Sequence, residues 1–362
     1  MPRSRMKNPA TIPSLWQFLP GTRRRLRRKR SHRFGAERLE ERRVLTVAID
    51  WVAVGNPGNV ADTTGYGAVS TAYQIGKYEV TIAQWAEFLN AAAKSDPYGL
   101  YNTSMGDNPG VAGITRAGIS GSYSYSVTGP SGSTTIGASS PGNRPISYVS
   151  WFDAARFANW LHNGQGTGST ETGAYTLNGA TSGNAPARNA NAQFYIPTEN
   201  QWYKAAYYSP SRNSGNGGYY LYATQNNAAP GNAVGGGANQ ANYVTNGLFS
   251  VTQSSAFSGN QNYLTDVGAF TGSASFYGTF DQSGNVFEWN DLAGIDSNSR
   301  GIRGGYWGDD AFWLSAFARN ADAPSGANNY LYGFRLATDN TAPTNIALSA
   351  TSIAENNSIG AA

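Results

Sequence analysis

The chain has no cysteine at all. That one absence excludes disulfides, a thiolate nucleophile, zinc–cysteine sites and cysteine-held iron–sulfur clusters. Histidine is nearly absent too: His32 and His162 are the only two among 362 residues, so no multi-histidine metal centre can form. No apolar run reaches the roughly 18 residues that a membrane-spanning helix needs. Charge is sparse at 13% Asp, Glu, Lys and Arg. It is also unevenly placed: residues 1–45 carry 14 Lys and Arg against 3 Glu, which leaves 12 against 19 in the rest from totals of 26 and 22. The front is about +11 and the body about −7, so the formal +4 describes neither, and the body is not a nucleic-acid-gripping surface.

What is present is a core-forming supply, 40% hydrophobic and 13% aromatic, in a length sufficient for one large or two modest domains. Gly, Asn, Ser and Thr supply the polarity in place of charge, which favours short strands and loops over a helical bundle. Residues 1–45, containing Arg23-Arg-Arg-Leu-Arg-Arg-Lys-Arg30, read as a self-repelling leader, either an export front or a nucleic-acid arm. Within it, Arg38-Leu-Glu-Glu-Arg-Arg-Val-Leu45 resembles the Leu-Glu-x-Arg leader motif of exported planctomycete proteins, which implies an extracellular or cell-surface location.

Three helix starts are written alike. Thr81 with Gln84, Ser150 with Asp153 and Thr198 with Gln201 each form a capping box, in which two otherwise unpaired amides are satisfied reciprocally. Behind them Trp85, Trp151 and Trp202 fall at core-facing positions. Tyr73 to Thr81 alternates as a half-buried strand, and Asn56-Pro-Gly58 is a turn. The Gly/Ser/Asn-rich stretches 103–142, 164–190 and 208–240 read as surface loops.

The densest texture comes late: Asp281-Gln-Ser-Gly-Asn-Val-Phe-Glu-Trp289, then Arg300-Gly-Ile-Arg-Gly-Gly-Tyr-Trp307, then Gly333-Phe-Arg-Leu-Ala337. Together with Glu79-Val-Thr81, Val149-Ser-Trp151 and Pro197-Thr-Glu199 these words resemble, in order, those of the formylglycine-generating enzyme (sulfatase-modifying factor) family. The resemblance runs from about residue 47 to 338. It implies an α+β fold of the C-type-lectin-like variety, with short helices, small antiparallel sheets and long loops, over residues 46–338. The family's enzymes oxidise a sulfatase cysteine using copper held by two thiolates, because soft Cu(I) selects sulfur. Here those positions are Asp309 and Leu314, and the family's serine is Tyr306. The expectation is therefore a non-catalytic, exported binding or structural module with no copper. The alternative is a formylglycine-generating-type oxidase, or a related protein-modifying enzyme, working without thiols.

The resemblance also implies calcium, a hard ion taking six to eight oxygens. One site would draw on Asp281, the carbonyls of Gly284 and Val286, and Glu288; a second on Asn242 and the Tyr243 carbonyl. The competing reading is that Asp281 and Glu288 hydrogen-bond within the turn. Asp309-Asp310 is either a solvated pair or a catalytic carboxylate pair. Arg303, Arg319 and Arg335 are expected in ion pairs or stacked on rings, or else holding a ligand carboxylate. A protein or glycan partner would meet the loops, with Tyr219, Tyr220 and Tyr222 as contacts. Residues 339–362 read as a linker and, from Thr341, an incomplete strand resembling the start of a cadherin-like repeat.

Overall fold

A computed structural model describes residues 47–129, 141–292, 298–326 and 330–339. The leader 1–45 and the cadherin-like stretch from Thr341 lie outside the described residues. The described residues fall within one compact unit.

Regular structure is short and mixed. Strands β1 (Trp51–Val54) and β2 (Tyr73–Gly76) form an antiparallel pair that β13 (Ala337–Thr338) extends at the β2 edge. The last described segment thus returns beside the first. Helix α1 (Ile82–Ala92) follows β2, and its capping box is present in full: the Thr81 hydroxyl accepts from Gln84 N while the Gln84 side chain accepts from Thr81 N. A short α2 (Ser104–Asp107) leads to the hairpin β3 (Ile114–Ala117) and β4 (Ser124–Val127). Helices α3 (Trp151–His162) and α4 (Glu199–Tyr207) carry the second and third capping boxes. Trp85, Trp151 and Trp202 are all fully buried. Each local start signal thus fixes where a tryptophan enters the interior.

Beyond α4, β5 (Tyr208–Ser209) pairs with β6 (Gly218–Tyr219), and β7 (Val244–Thr245) with β8 (Leu248–Phe249). The central sheet is four-stranded in the order β11 (Asn320–Asp322), β10 (Arg300–Arg303), β9 (Phe287–Asn290), β12 (Tyr332–Gly333). Its pairs are antiparallel except β9 with β12. The fold is α+β, with short helices around small, mainly antiparallel sheets.

One expectation is corrected. Residues 103–129 are not simply a surface loop, since Met105, Val111, Ile114 and Tyr125 are in the core and β3–β4 packs against α1, and the stretches 164–190 and 208–240 likewise bury Tyr175 and Leu177, and Tyr208 and Tyr222. Asn90 on α1 fixes that hairpin by bonding both the amide and the carbonyl of Tyr125. Strands of only four residues give too little alternation to be recognised as strands.

Candidate functional site

The three late words meet on β9. In the register of the central sheet, Glu288 stands opposite Arg303 on β10 and Gly333 on β12. The turn feeding β9 depends on Gly284 at φ +93°, where an added Cβ would lie 2.3 Å from the Asn242 carbonyl oxygen. Only glycine permits both that backbone and that approach.

Glu288 is wholly buried and receives three short bonds. Arg335 Nε donates to Oε2 and Nη2 to Oε1, both at 2.6 Å, and Trp202 Nε1 donates to Oε2 at 2.8 Å. The remaining Arg335 N–H groups reach the carbonyls of Gly76, Lys77 and Phe280. A bidentate guanidinium pair of this kind locks the strand order from inside. Asp281, at φ 62°, accepts from Gly268 N through Oδ2 at 2.6 Å, and burial pushes its pKa up to about 6. Glu79 lies in the same group. Burial, and then the Asp281 charge, holds its carboxyl well above the usual range.

These contacts decide how well the expected calcium ligands fit. Glu288 is fully engaged by Arg335 and Trp202. Tyr243 O accepts from Asn232 Nδ2, and Asn242 spends its amide on Tyr263 O and Asn285 Oδ1. Gly284 and Val286 are buried in the turn beside them. Among the described residues no three His, Cys, Asp or Glu side chains gather as a metal cluster. As placed, the set including Glu288 does not fit a calcium ion, and no chemistry is routed through one.

A second buried ion group gathers around Glu199 on α4. Glu199, the first residue of α4, accepts from Arg303 Nε at 2.8 Å and is held bidentately by Arg319 at 2.8 and 3.0 Å. The Tyr66 ring lies 4.9 and 5.1 Å from the two guanidinium carbons, and Tyr203 lies 5.0 Å from that of Arg303. All three arginines are therefore in ion pairs, and Arg303 and Arg319 also stack, as the sequence suggested.

At the position of the family's thiolates, Leu314 is fully buried among Tyr222, Ala241 and Tyr243. Its Cδ1 would lie 2.7 Å from a Cβ at Gly305, so the glycine pair closes directly over it. Asp309 turns back on the same strand end: its Oδ2 accepts from Tyr306 N at 3.1 Å and its amide donates to Tyr306 O at 3.0 Å. Burial, with Asp310 adding to it, pushes its pKa up to about 7. Asp310 is exposed and caps Phe312 N. Neither site position offers a soft ligand.

The space around Tyr306 is filled with rings. Tyr306 contacts Trp307, Phe287 and Tyr330 at centroid distances of 5.4, 6.1 and 6.1 Å. Trp307 lies nearly parallel to Tyr263 at 4.6 Å. From this cluster rings reach solvent at both ends: Phe257, 63% exposed, lies parallel to Tyr263, and Phe312, 59% exposed, sits edge-on to Trp313. Phe317, 65% exposed, follows on the loop that holds Asp309 and Leu314. Sequence reasoning did not single out these phenylalanines. The only available signal was the apolar density of Ala311-Phe-Trp-Leu-Ser-Ala-Phe317 beside two acids. The tyrosines it did single out behave otherwise: Tyr222 is core, Tyr219 bonds Val60 O and packs on Tyr203 and Tyr208, and Tyr220 lies under Arg212.

Among solved structures the chain is similar to Treponema denticola variable protein 1, at 19% identity over 82% of this chain and 97% of that one, with a TM-score of 0.45. It is similar to CarF at 18% identity, covering 80% and 98% of the two chains, with a TM-score of 0.43. PvdO from Pseudomonas aeruginosa is 17% identical, over 80% and 91%, with a TM-score of 0.38. No curated protein matches. The model of the sulfatase-modifying factor enzyme 1-like domain matches residues 56–340, most of the chain, and the protein belongs to that family.

Proposed function

We propose that this chain is a thiol-free member of its family that binds a partner instead of oxidising a cysteine. The observation that carries the reading is the loop after β10. Where the family places two thiolates this chain has Asp309 and a buried Leu314, while Phe312 and Phe317 on the same loop face solvent. Exposed rings are costly to leave in water, at about 25 cal/mol per Å² of apolar surface, and a group of them marks a contact surface.

The chemistry beside the rings selects the partner. Asp310 is exposed and Asp309 half-buried, and no lysine or arginine ion-pairs with either among the described residues. Apolar rings flanked by unpaired acids complement a protein segment with apolar and basic side chains. The basic leader supports export, so the partner would be met outside the cytoplasm.

The test is fluorescence anisotropy with a labelled peptide of Leu, Phe and Arg, read against the same peptide with Asp for Arg and against a neutral oligosaccharide. Salt-sensitive binding of the basic peptide, lost in a Phe312→Ala/Phe317→Ala variant, is expected. Binding of the oligosaccharide alone would replace the protein partner with a glycan. No binding of any probe would remove the proposal.

A further inference from the structure

Elsewhere in this fold arginines are held by one recurring unit, a ring face with a carboxylate beside it. Arg156 has its guanidinium carbon 4.2 Å from the Tyr98 centroid and its Nε 2.8 Å from Glu171 Oε1. Arg188 lies 3.7 Å from the Tyr195 centroid and 3.2 Å from Asp339 Oδ2. Arg116 lies 4.4 and 4.8 Å from the centroids of Tyr123 and Tyr101, with Asp96 Oδ2 at 3.6 Å. A planar, weakly hydrated cation with a fork of donors suits both halves of the unit at once. Lysine is not used in this way. Lys77 and Lys204 stand farther off than these, 5.2 Å from the Tyr78 centroid and 5.8 Å from that of Tyr208, and neither pairs with a carboxylate among the described residues.

The loop after β10 presents the same two parts to solvent. Asp310 is exposed, and its Oδ1 accepts from Phe312 N at 2.9 Å, which keeps the carboxylate close to that residue's ring. The Phe312 carbonyl accepts from Ser315 N at 3.1 Å and from Ser315 Oγ at 2.7 Å. Trp313 packs edge-on to the ring at 5.4 Å, yet Phe312 remains 59% exposed. Hydrogen bonds to both its amide and its carbonyl fix the Phe312 backbone, so a partner meets a surface already formed and binding orders little of it. Among the described residues no arginine of this chain stacks on Phe312 or pairs with Asp310.

We infer that Phe312 and Asp310 together recognise an arginine of the partner and select it over lysine. The guanidinium would stack on the ring while its N–H groups reach the carboxylate. This rests on the partner-binding reading above and names the side chain that the acid receives. Charge complementarity favours a cation at this acid, and the ring face favours a planar cation over a compact, strongly hydrated ammonium.

The experiment is fluorescence anisotropy on the full chain with two labelled peptides of Leu and Phe that differ only in carrying arginine or lysine at one position. The arginine peptide should bind about threefold tighter or better, in the range of an exposed cation–π contact. Phe312→Leu keeps an apolar side chain but removes the ring, and should bring the two peptides to equal affinity. Phe312→Tyr should retain the preference, and Phe317→Leu should leave the ratio unchanged. Asp310→Asn should weaken the arginine peptide by about threefold, as expected for loss of an exposed ion pair. Equal affinity for the two peptides in the unaltered chain, or a preference that survives Phe312→Leu, would overturn the inference and leave the partner-binding reading standing. No binding of either peptide would overturn both.

Discussion

Replacing Arg335 with methionine keeps most of the side-chain volume and deletes the guanidinium that Glu288 relies on. The structure sets the cost. Glu288 would keep only the Trp202 indole donor, the carbonyls of Gly76, Lys77 and Phe280 would each lose the arginine's donor, with Lys77 O keeping the Phe280 amide, and Glu79 and Asp281 would stand beside Glu288 with no cation. Breaking a buried pair from one side costs roughly 3–5 kcal/mol, much of it the stranded charge. For a domain of this size that is a fall in melting temperature of roughly 5–8 °C. Urea denaturation measures it directly. A second variant separates lost packing from lost charge: Glu288→Gln added to Arg335→Met removes the stranded charge and should recover at least about 1 kcal/mol of the loss. An Arg335→Met loss below about 1 kcal/mol, or two variants whose effects simply add, would refute the claim that this pair organises β9.

Other outcomes follow from the same geometry. Millimolar calcium should shift the melting temperature by less than about 1 °C, because an ion bound through Glu288 would have to displace Arg335; a rise of several degrees, as linkage requires for folded-state binding, would reinstate the calcium ligands. Acidity should stabilise the fold. Burial raises Asp153, Asp281 and Asp291 to about 6 and Asp309 to about 7, so between about pH 4 and pH 7 the folded state holds more protons than the unfolded one. Their contribution is therefore greatest at low pH and is lost as pH rises through those values, and a melting temperature higher at pH 8 than at pH 5 would contradict it. Gly284→Ala meets the Asn242 carbonyl in a left-handed backbone and should cost at least about 2 kcal/mol by thermal melting. Thr198→Ala should cost about 1 kcal/mol, the usual loss of an N-cap.

What the sequence disclosed was whatever is decided locally. All three capping boxes and their tryptophans are visible because the bonding partners lie three residues apart. The ion pairs were legible as types but not as partners, since Arg335 finds Glu288 47 residues away, and Arg303 and Arg319 find Glu199 at separations of 104 and 120. Nothing periodic joins such residues. The family resemblance points Glu288 toward calcium, and only the fold brings the guanidinium of Arg335 to it. Exposure escaped in the same way: Leu314 and Phe317 are both apolar and three apart, yet one is core and the other solvent-facing. Tyr222 was the opposite error, a polar-tipped ring in a Gly/Asn-rich stretch that packs on Leu314's cluster.

The most direct measurement offers the purified chain copper, oxygen and a Cys-x-Pro-x-Arg peptide, and follows the peptide by mass spectrometry. A scaffold whose sulfur positions are Asp309 and a sealed Leu314 should leave the peptide's mass unchanged over many hours. Repeated turnover of its cysteine to formylglycine would contradict the account.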